Sequence, residues 1–340
     1  MTPAQQLRMD IEACELPHPM FVEHLTALKR RIDDALTGFA PKVVRVPGPS
    51  GVGKSSLIAN LSRDFPESRI DGRRHVPVLV VEVPNAATAK LLPKSVLRAL
   101  GIQVPGSMTA GAMFDLMVTQ LRLAGTRVVI FDEISHLVDE GSRVPPRTAS
   151  DWLKSLTDTL AMTLILFGIP RLERLFSANE QLRRRACPAC TFLPYDASDA
   201  KHMAAYNSCV VNYARLFSAA GYPIDVPPRV LTQQSYLLTG GLIGVLADFM
   251  RELASLMASE APRAITYADC RKATGYVSHA GSPHRLAFQG AGIEDAGVEP
   301  AALKQATVHA SAPERVRLTW TSRPFCRCAK TTGNVRWRET

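Results

Sequence analysis

Val43-Val44-Arg45-Val46-Pro47-Gly48-Pro49-Ser50-Gly51-Val52-Gly53-Lys54-Ser55-Ser56 is the stretch from which the rest of the chain can be read. A β-branched run breaks into Gly-x-x-x-x-Gly-Lys-Ser and then into the apolar helical start Leu57-Ile58. Strand, glycine-rich loop and helix follow in the order that a phosphate-binding loop requires. Glycines let the backbone curl so that successive N–H groups face one anion. The helix N-terminus adds positive partial charge, and Lys54 supplies a mobile cation. On this reading Gly48, Pro49, Ser50, Gly51, Val52, Gly53, Lys54, Ser55 and Ser56 cradle the phosphates of ATP, and Ser55 offers its hydroxyl to Mg²⁺.

With 340 residues, the chain has room for one large α/β domain and an appended region, or for two domains. An apolar content of 46% supports a buried core. No run of eighteen or more apolar residues occurs, and residues 1–14 carry acidic residues without an apolar signal core. The expectation is a soluble cytoplasmic protein with no membrane partner. Seven unevenly spread cysteines make no disulfide framework, which agrees with a reducing compartment. The net charge of +9 makes a polyanionic partner worth considering. Residues 276–340 hold nine Lys or Arg against five Asp or Glu, so the tail is the more basic part per residue.

Outward from the loop, Phe21, Leu25, Leu28, Ile32 and Leu36 fall at spacings of three and four, which predicts an amphipathic helix ending at Gly38. After the loop a helix runs to about Asp64, stopped by Pro66. Arg69 to His75 reads as a polar, basic connection. Val76–Val83, Arg127–Glu133 and Met162–Gly168 are nearly continuous hydrophobic runs, the mark of strands buried on both faces of a parallel sheet. Thr191–Leu193 is expected as a fifth, short strand. Helices are predicted over 86–100, 109–123, 147–160 and from Pro170 onward. This alternation gives an α/β fold: a five-stranded parallel sheet flanked by helices. Beyond Ser198 strand signals largely stop, and 198–220, 229–238, 244–259 and 266–277 read as helices. After His279 the pattern weakens, with only Arg315–Trp320 strand-like. The expected organisation is an N-terminal helical segment (1–40), a nucleotide-binding core (41–197), a small helical subdomain (198–279) and a basic tail (280–340).

Asp132 and Glu133 close a buried strand at its carboxyl end, where ligands bind in open α/β sheets. Asp132 would hold Mg²⁺, and Glu133 would orient the water that attacks the γ-phosphate, so the pair points to hydrolysis. Arg183, Arg184 and Arg185 form a cationic cluster after the Gly168 strand. One of them could reach the γ-phosphate of a neighbouring subunit, and each could equally be a solvated charge. Lys90, Lys94 and Arg98 recur at i, i+4 and i+8. Such a face suits DNA phosphates or plain solvent, and Thr109 could donate to a phosphate at the next helix start. Cys187-Pro188-Ala189-Cys190 has the spacing of half a zinc site, with Cys326-Arg327-Cys328 as a distant, tighter pair. No nucleophile elbow is present, so covalent catalysis gets no support.

Taken in order, Gly48–Ser55, Ile130–Glu133, Leu164–Pro170, Asn179–Arg185 and Thr239–Gly244 resemble an AAA+ ATPase. Their combination is similar to the TniB and TnsC family over roughly 20–278. These are regulators of TnsC-type and TniABQ-type transposons, some of them guided by CRISPR complexes. The resemblance implies a P-loop AAA+ core that uses ATP and Mg²⁺ and assembles on double-stranded DNA as a ring or helical filament of its own copies. It further implies a link between a TniQ-like target selector and a TnsB/TniA-like transposase, with hydrolysis controlling disassembly or the place of insertion. Family filaments contact DNA through a basic and a hydroxyl residue between the second strand and the Walker B strand, the interval that holds Lys90, Lys94 and Thr109. Two positions depart from the AAA+ pattern: Gly168 stands where a polar sensor residue is usual, and Gly244 where a lid helix often begins with arginine, Arg251 coming two turns later. Three other readings of the chain are a helicase loader of the IstB or DnaC kind, a small-molecule P-loop kinase and a STAND-type switch. The kinase leaves Glu133, the arginine cluster and the helical subdomain without a clear role.

Overall fold

In the computed structural model, residues 2–85, 88, 90–139, 144–277, 287–290, 292–294 and 296–311 are described. Four hydrophobic runs become a parallel sheet: β1 (Val43–Pro47), β4 (Val78–Glu82), β5 (Val128–Asp132) and β6 (Thr163–Gly168), in the spatial order β1-β6-β5-β4. Alternating residues leave the sheet on opposite sides, and both sides are covered. Val44, Val46, Ile130, Ile165 and Phe167 join one core with α1 (Pro3–Ala13), α2 (Pro19–Leu36) and α3 (Lys54–Asp64). Val43, Leu79, Val81, Val129, Phe131, Leu164 and Leu166 join a second core with α4 (Leu91–Ala99), α5 (Ala110–Leu123) and α6 (Pro146–Leu160). Burial on both faces is why these strands show no polar alternation.

The sheet has four strands where five were expected. The segment after α7 (Glu173–Ala178) and α8 (Glu180–Arg185) does run beside β1, and Cys187, Cys190 and Phe192 donate their N–H groups to the carbonyls of Val43, Arg45 and Pro47 at 2.8, 2.8 and 2.9 Å. Those carbonyls are two residues apart, but the donors step by three and then two. Pro188 lies in the longer step and Pro47 has no N–H to give back, so a regular ladder cannot form. Residues 69–75, expected as a connection, instead form the antiparallel hairpin β2 (Ser68–Ile70) and β3 (Arg73–His75). Its turn is Asp71-Gly72, both at positive φ (50° and 76°), the chemistry that favours a two-residue hairpin turn.

The helical part comprises α9 (Ala200–Ala219), α10 (Pro228–Thr239), α11 (Ile243–Leu256) and α12 (Tyr267–Thr274), close to the predicted helices. One further helix, α13 (Pro300–Ser311), lies where only a weakly patterned tail was expected. It packs on α10, with the Tyr236 and Thr307 hydroxyls 2.6 Å apart. Gly240 ends α10 at φ +60°, and a Cβ there would come within 2.6 Å of the Ala306 carbonyl oxygen and the Ala310 Cβ. At the other end of the chain α1 packs on α9 and α11, with Leu7 and Ile11 fully buried. Among the described residues no helix is long and apolar enough to cross a membrane. The expected strand over 315–320 and the Cys326/Cys328 pair lie outside the described residues.

Candidate nucleotide site

The loop between β1 and α3 is built tightly. Gly53 caps α3 at φ +112° and Gly51 sits at φ +79°, conformations that glycine adopts without steric cost. Gly48 donates to the Gly168 carbonyl at 3.0 Å, and a Cβ on Gly48 would meet the Phe192 carbonyl oxygen at 2.5 Å. Lys54, only 5% exposed, turns its ammonium back onto the Gly48 and Pro49 carbonyls at 2.9 and 3.0 Å. Ser50, Ser55 and Ser56 are exposed along the loop and the first turn of α3. The nine residues expected to cradle phosphate are therefore the loop 48–53 and the first residues of α3, with Lys54 folded back onto the loop.

Across the end of β6 from this loop stand Asp132 and Glu133, as β6 separates β1 from β5. Burial raises the Asp132 pKa, opposed by the Glu133 N–H bonded to its carboxylate at 2.9 Å and then by the charge of Lys54. Burial makes the charge on this carboxylate costly, and a nearby cation favours it. Glu133 has a left-handed backbone at φ +52°, which costs a non-glycine residue about 1–2 kcal/mol. The conformation turns the chain off the strand end into a 3₁₀ turn over Ile134–Val138, held where the His136 Nδ1–H donates to the Val83 carbonyl at 2.8 Å. Strain of this kind concentrates at functional positions.

Gly168, the unusual end of β6, has a local explanation. A Cβ there would approach the Ser135 Oγ at 2.8 Å, and that oxygen accepts the Ile169 N–H at 3.2 Å. The hydroxyl beside the end of β6 thus comes from residue 135, a contact that sequence spacing does not disclose. Gly244 is also explained: its N–H donates to the Gly51 carbonyl at 2.8 Å, and a Cβ would collide with that oxygen at 2.6 Å. The start of α11 therefore rests directly on the phosphate loop. Arg251 pairs with Asp248 at 2.6 Å.

The arginine cluster lies elsewhere. Ala186, just after α8, bridges Val43 at the far end of β1, about 13 Å of strand away from the loop. Arg185 pairs with Asp158 at 2.8 Å and Arg184 with Glu180 at 2.7 Å, while the exposed Arg183 side chain has no ion pair among the described residues. None of the three is beside the phosphate loop of its own chain. Lys90, Lys94 and Arg98 are all exposed as expected, although α4 begins one residue after Lys90, at Leu91. The Thr109 hydroxyl caps α5 by accepting the Ala112 N–H at 3.3 Å.

Two features escaped the sequence. His18 caps α2, accepting the Phe21 N–H at 3.3 Å, and its Nδ1 is 2.8 Å from the Tyr195 hydroxyl. Since Nδ1 already accepts one bond, Tyr195 donates and the imidazole is neutral. Burial, followed by the nearby His24, lowers its pKa to about 4. The second is Gly241, whose carbonyl accepts the Tyr195 N–H at 3.1 Å and which leaves no room for a Cβ against the Tyr195 backbone. Of the expected zinc pairs only Cys187 and Cys190 are among the described residues. Among the described residues no group of three or more His, Cys, Asp or Glu could hold a metal ion. Cys190 is 2.8 Å from His24 Nδ1, and burial raises its thiol pKa. All five described cysteines are free.

A protein-family model described as "Bacterial TniB protein" matches residues 19–191. Among solved structures, the chain is similar to the Aeropyrum pernix ORC2 protein in its ADPNP-ADP complexes: TM-score 0.56, 14% identity, covering 82% of this chain and 74% of that one. For Cdc6p from Pyrobaculum aerophilum the values are 0.56, 15%, 80% and 70%. For the Aeropyrum pernix ORC1 protein in complex with DNA they are 0.51, 20%, 77% and 65%. These likenesses show the fold. No curated protein matches the chain.

Proposed function

The chain belongs to the bacterial TniB family, and from that premise we propose that it is an ATP-dependent, DNA-binding regulator of transposition. It assembles in several copies on duplex DNA and connects a TniQ-like target selector to a TnsB/TniA-like transposase. The observation that carries this reading is the meeting of three elements at one place: the phosphate loop with Lys54, the Asp132-Glu133 strand end, and the α11 start bonded to Gly51. A site that hydrolyses ATP while bonded to the start of a neighbouring helix is placed to pass its nucleotide state to that helix. The solved relatives carrying ADP or ADPNP, and the one in complex with DNA, support the coarser part of the reading.

In the proposed cycle the loop N–H groups and the α3 N-terminus bind the phosphates, and Lys54 leaves the Gly48 and Pro49 carbonyls to meet them. Ser55 and Asp132 are hard oxygen donors at the two sides of the site, a set that fits Mg²⁺; the bound ion would neutralise charge on the β- and γ-phosphates. Glu133 orients the attacking water. Of the three arginines Arg183 is assigned to the neighbouring subunit's γ-phosphate, because Arg184 and Arg185 are held by acids of their own chain.

Electron microscopy of the protein on duplex DNA, with a non-hydrolysable ATP analogue and with ADP, tests the proposal. Rings or filaments formed only with the analogue are expected. Single particles in both states would move the reading to a helicase loader or a small-molecule kinase, the latter to be sought through a phosphorylated product.

A further inference from the structure

The β2–β3 hairpin has no evident place in the core. Its strands are three residues each, and Ser68, Arg69, Ile70, Arg73 and Arg74 are all exposed, Ile70 by 53%. A two-stranded ribbon with no buried face is marginal by itself, so something else accounts for it. Its charge pattern is also unfavourable in isolation. Arg69 stands directly opposite Arg74 in the register, a like-charged cross-strand pair that destabilises a ribbon. Glu67 answers only one of the two, at 2.6 Å from Arg74; Arg69 and Arg73 have no ion pair among the described residues.

The hairpin is nevertheless held in place. Arg74 Nη1 donates to the Leu100 carbonyl at the end of α4, and directly after β3 Val76 donates to the Ala124 carbonyl at 2.8 Å. The hairpin is thus anchored at the C-terminal end of α4, the end at which the exposed Lys90, Lys94 and Arg98 series stops. Laid end to end, the helix face and the ribbon would span about 20 Å, at 1.5 Å per helical residue and roughly 3.3 Å per strand residue. Duplex DNA carries a phosphate charge about every 1.7 Å of its axis, so such a stripe can meet several phosphates.

We propose that the Ser68–His75 hairpin is a phosphate-backbone contact for duplex nucleic acid, extending the basic face of α4 through Arg69 and Arg73. This inference rests on the reading that the protein binds duplex DNA. The exposed ribbon presents guanidinium charge to the phosphate backbone, so it adds affinity and position but no base readout.

The test uses the full chain with a non-hydrolysable ATP analogue and two fluorescent duplexes of unrelated sequence, titrated between 50 and 200 mM salt. For Arg69→Ala/Arg73→Ala, affinity should fall on both duplexes alike. The log–log salt slope should shrink by about 1.8, the value for two phosphate contacts, with melting temperature and ATP-analogue affinity unchanged. Arg69→Lys/Arg73→Lys should restore most of the slope. An unchanged affinity and slope in the alanine variant, beside a wild type that binds, would overturn the hairpin's role and leave the DNA reading standing. A loss confined to one duplex would overturn it in favour of base recognition. A wild type that binds neither duplex at any salt would overturn the DNA reading and this inference with it.

Discussion

Lys54 spends its hydrogen bonds on two carbonyls of its own loop, so its removal affects both the empty and the loaded site. Lys54→Ala should abolish ATP binding and nucleotide-dependent DNA assembly, measured by nucleotide titration and by microscopy; normal assembly would remove the loop from the mechanism. Glu133→Gln keeps the side-chain size and should bind ATP yet accumulate assembled complexes, because only the water-orienting carboxylate is lost. Rapid phosphate release by that variant would overturn the role. The His18 prediction concerns pH. Its pKa falls from 6.5 to about 4 on folding, so within that window the unfolded chain takes up a proton that the folded chain refuses. Stability should therefore fall as pH drops through the window, by at most about 3 kcal/mol at the acid end. His18→Asn, which keeps a capping side chain, should flatten the melting temperature against pH from 6.5 to 4. An unchanged slope would place the acid sensitivity elsewhere, His24 being the next group whose pKa burial lowers. At this scale Lys54, Asp132 and Glu133 were legible because each belongs to a short motif with a local mechanism. The His18–Tyr195 pair and Ser135 behind Gly168 were not, because they join positions far apart in the chain that only the packed fold brings together.

Among elements, the four central strands and most helices were readable from periodicity, since both sheet faces and the helix stripes are buried. The hairpin was missed because its residues are charged and half its signal is one Asp-Gly pair. The fifth strand was expected where backbone donors exist but proline and an extra residue break the register. Helix α13 was missed because its small residues carry little periodic signal and owe their burial to α10. That dependence can be measured. Gly38 (φ +93°) and Gly240 (φ +60°) share a left-handed backbone, but a Cβ on Gly38 meets nothing within 4 Å, whereas one on Gly240 strikes α13. Gly240→Ala should cost about 1–3 kcal/mol more than Gly38→Ala by thermal denaturation, the range for overpacking. Equal losses would mean that α13 is not seated on α10 in solution.

At the scale of the whole molecule, the distance between α8 and the phosphate loop makes assembly part of the proposed chemistry. Arg183→Ala should bind ATP and assemble normally but lose roughly a thousand-fold in DNA-dependent turnover, the lower end of what such an arginine supplies. Mixing it with Glu133→Gln, which binds ATP and assembles, should recover part of the activity: one chain contributes an intact Glu133 and the other an intact Arg183. Two inactive variants that stay inactive together would place the arginine outside the neighbour's site. The half-paired border of the sheet has a related consequence. A fully formed outer strand would present a row of unused N–H and C=O groups to the next copy, an open template for backbone-to-backbone growth. The proline-interrupted run over 186–192 covers β1 without offering such a template. For a protein proposed to polymerise and then let go, that border guards against an amyloid-like association that no ATP cycle could undo.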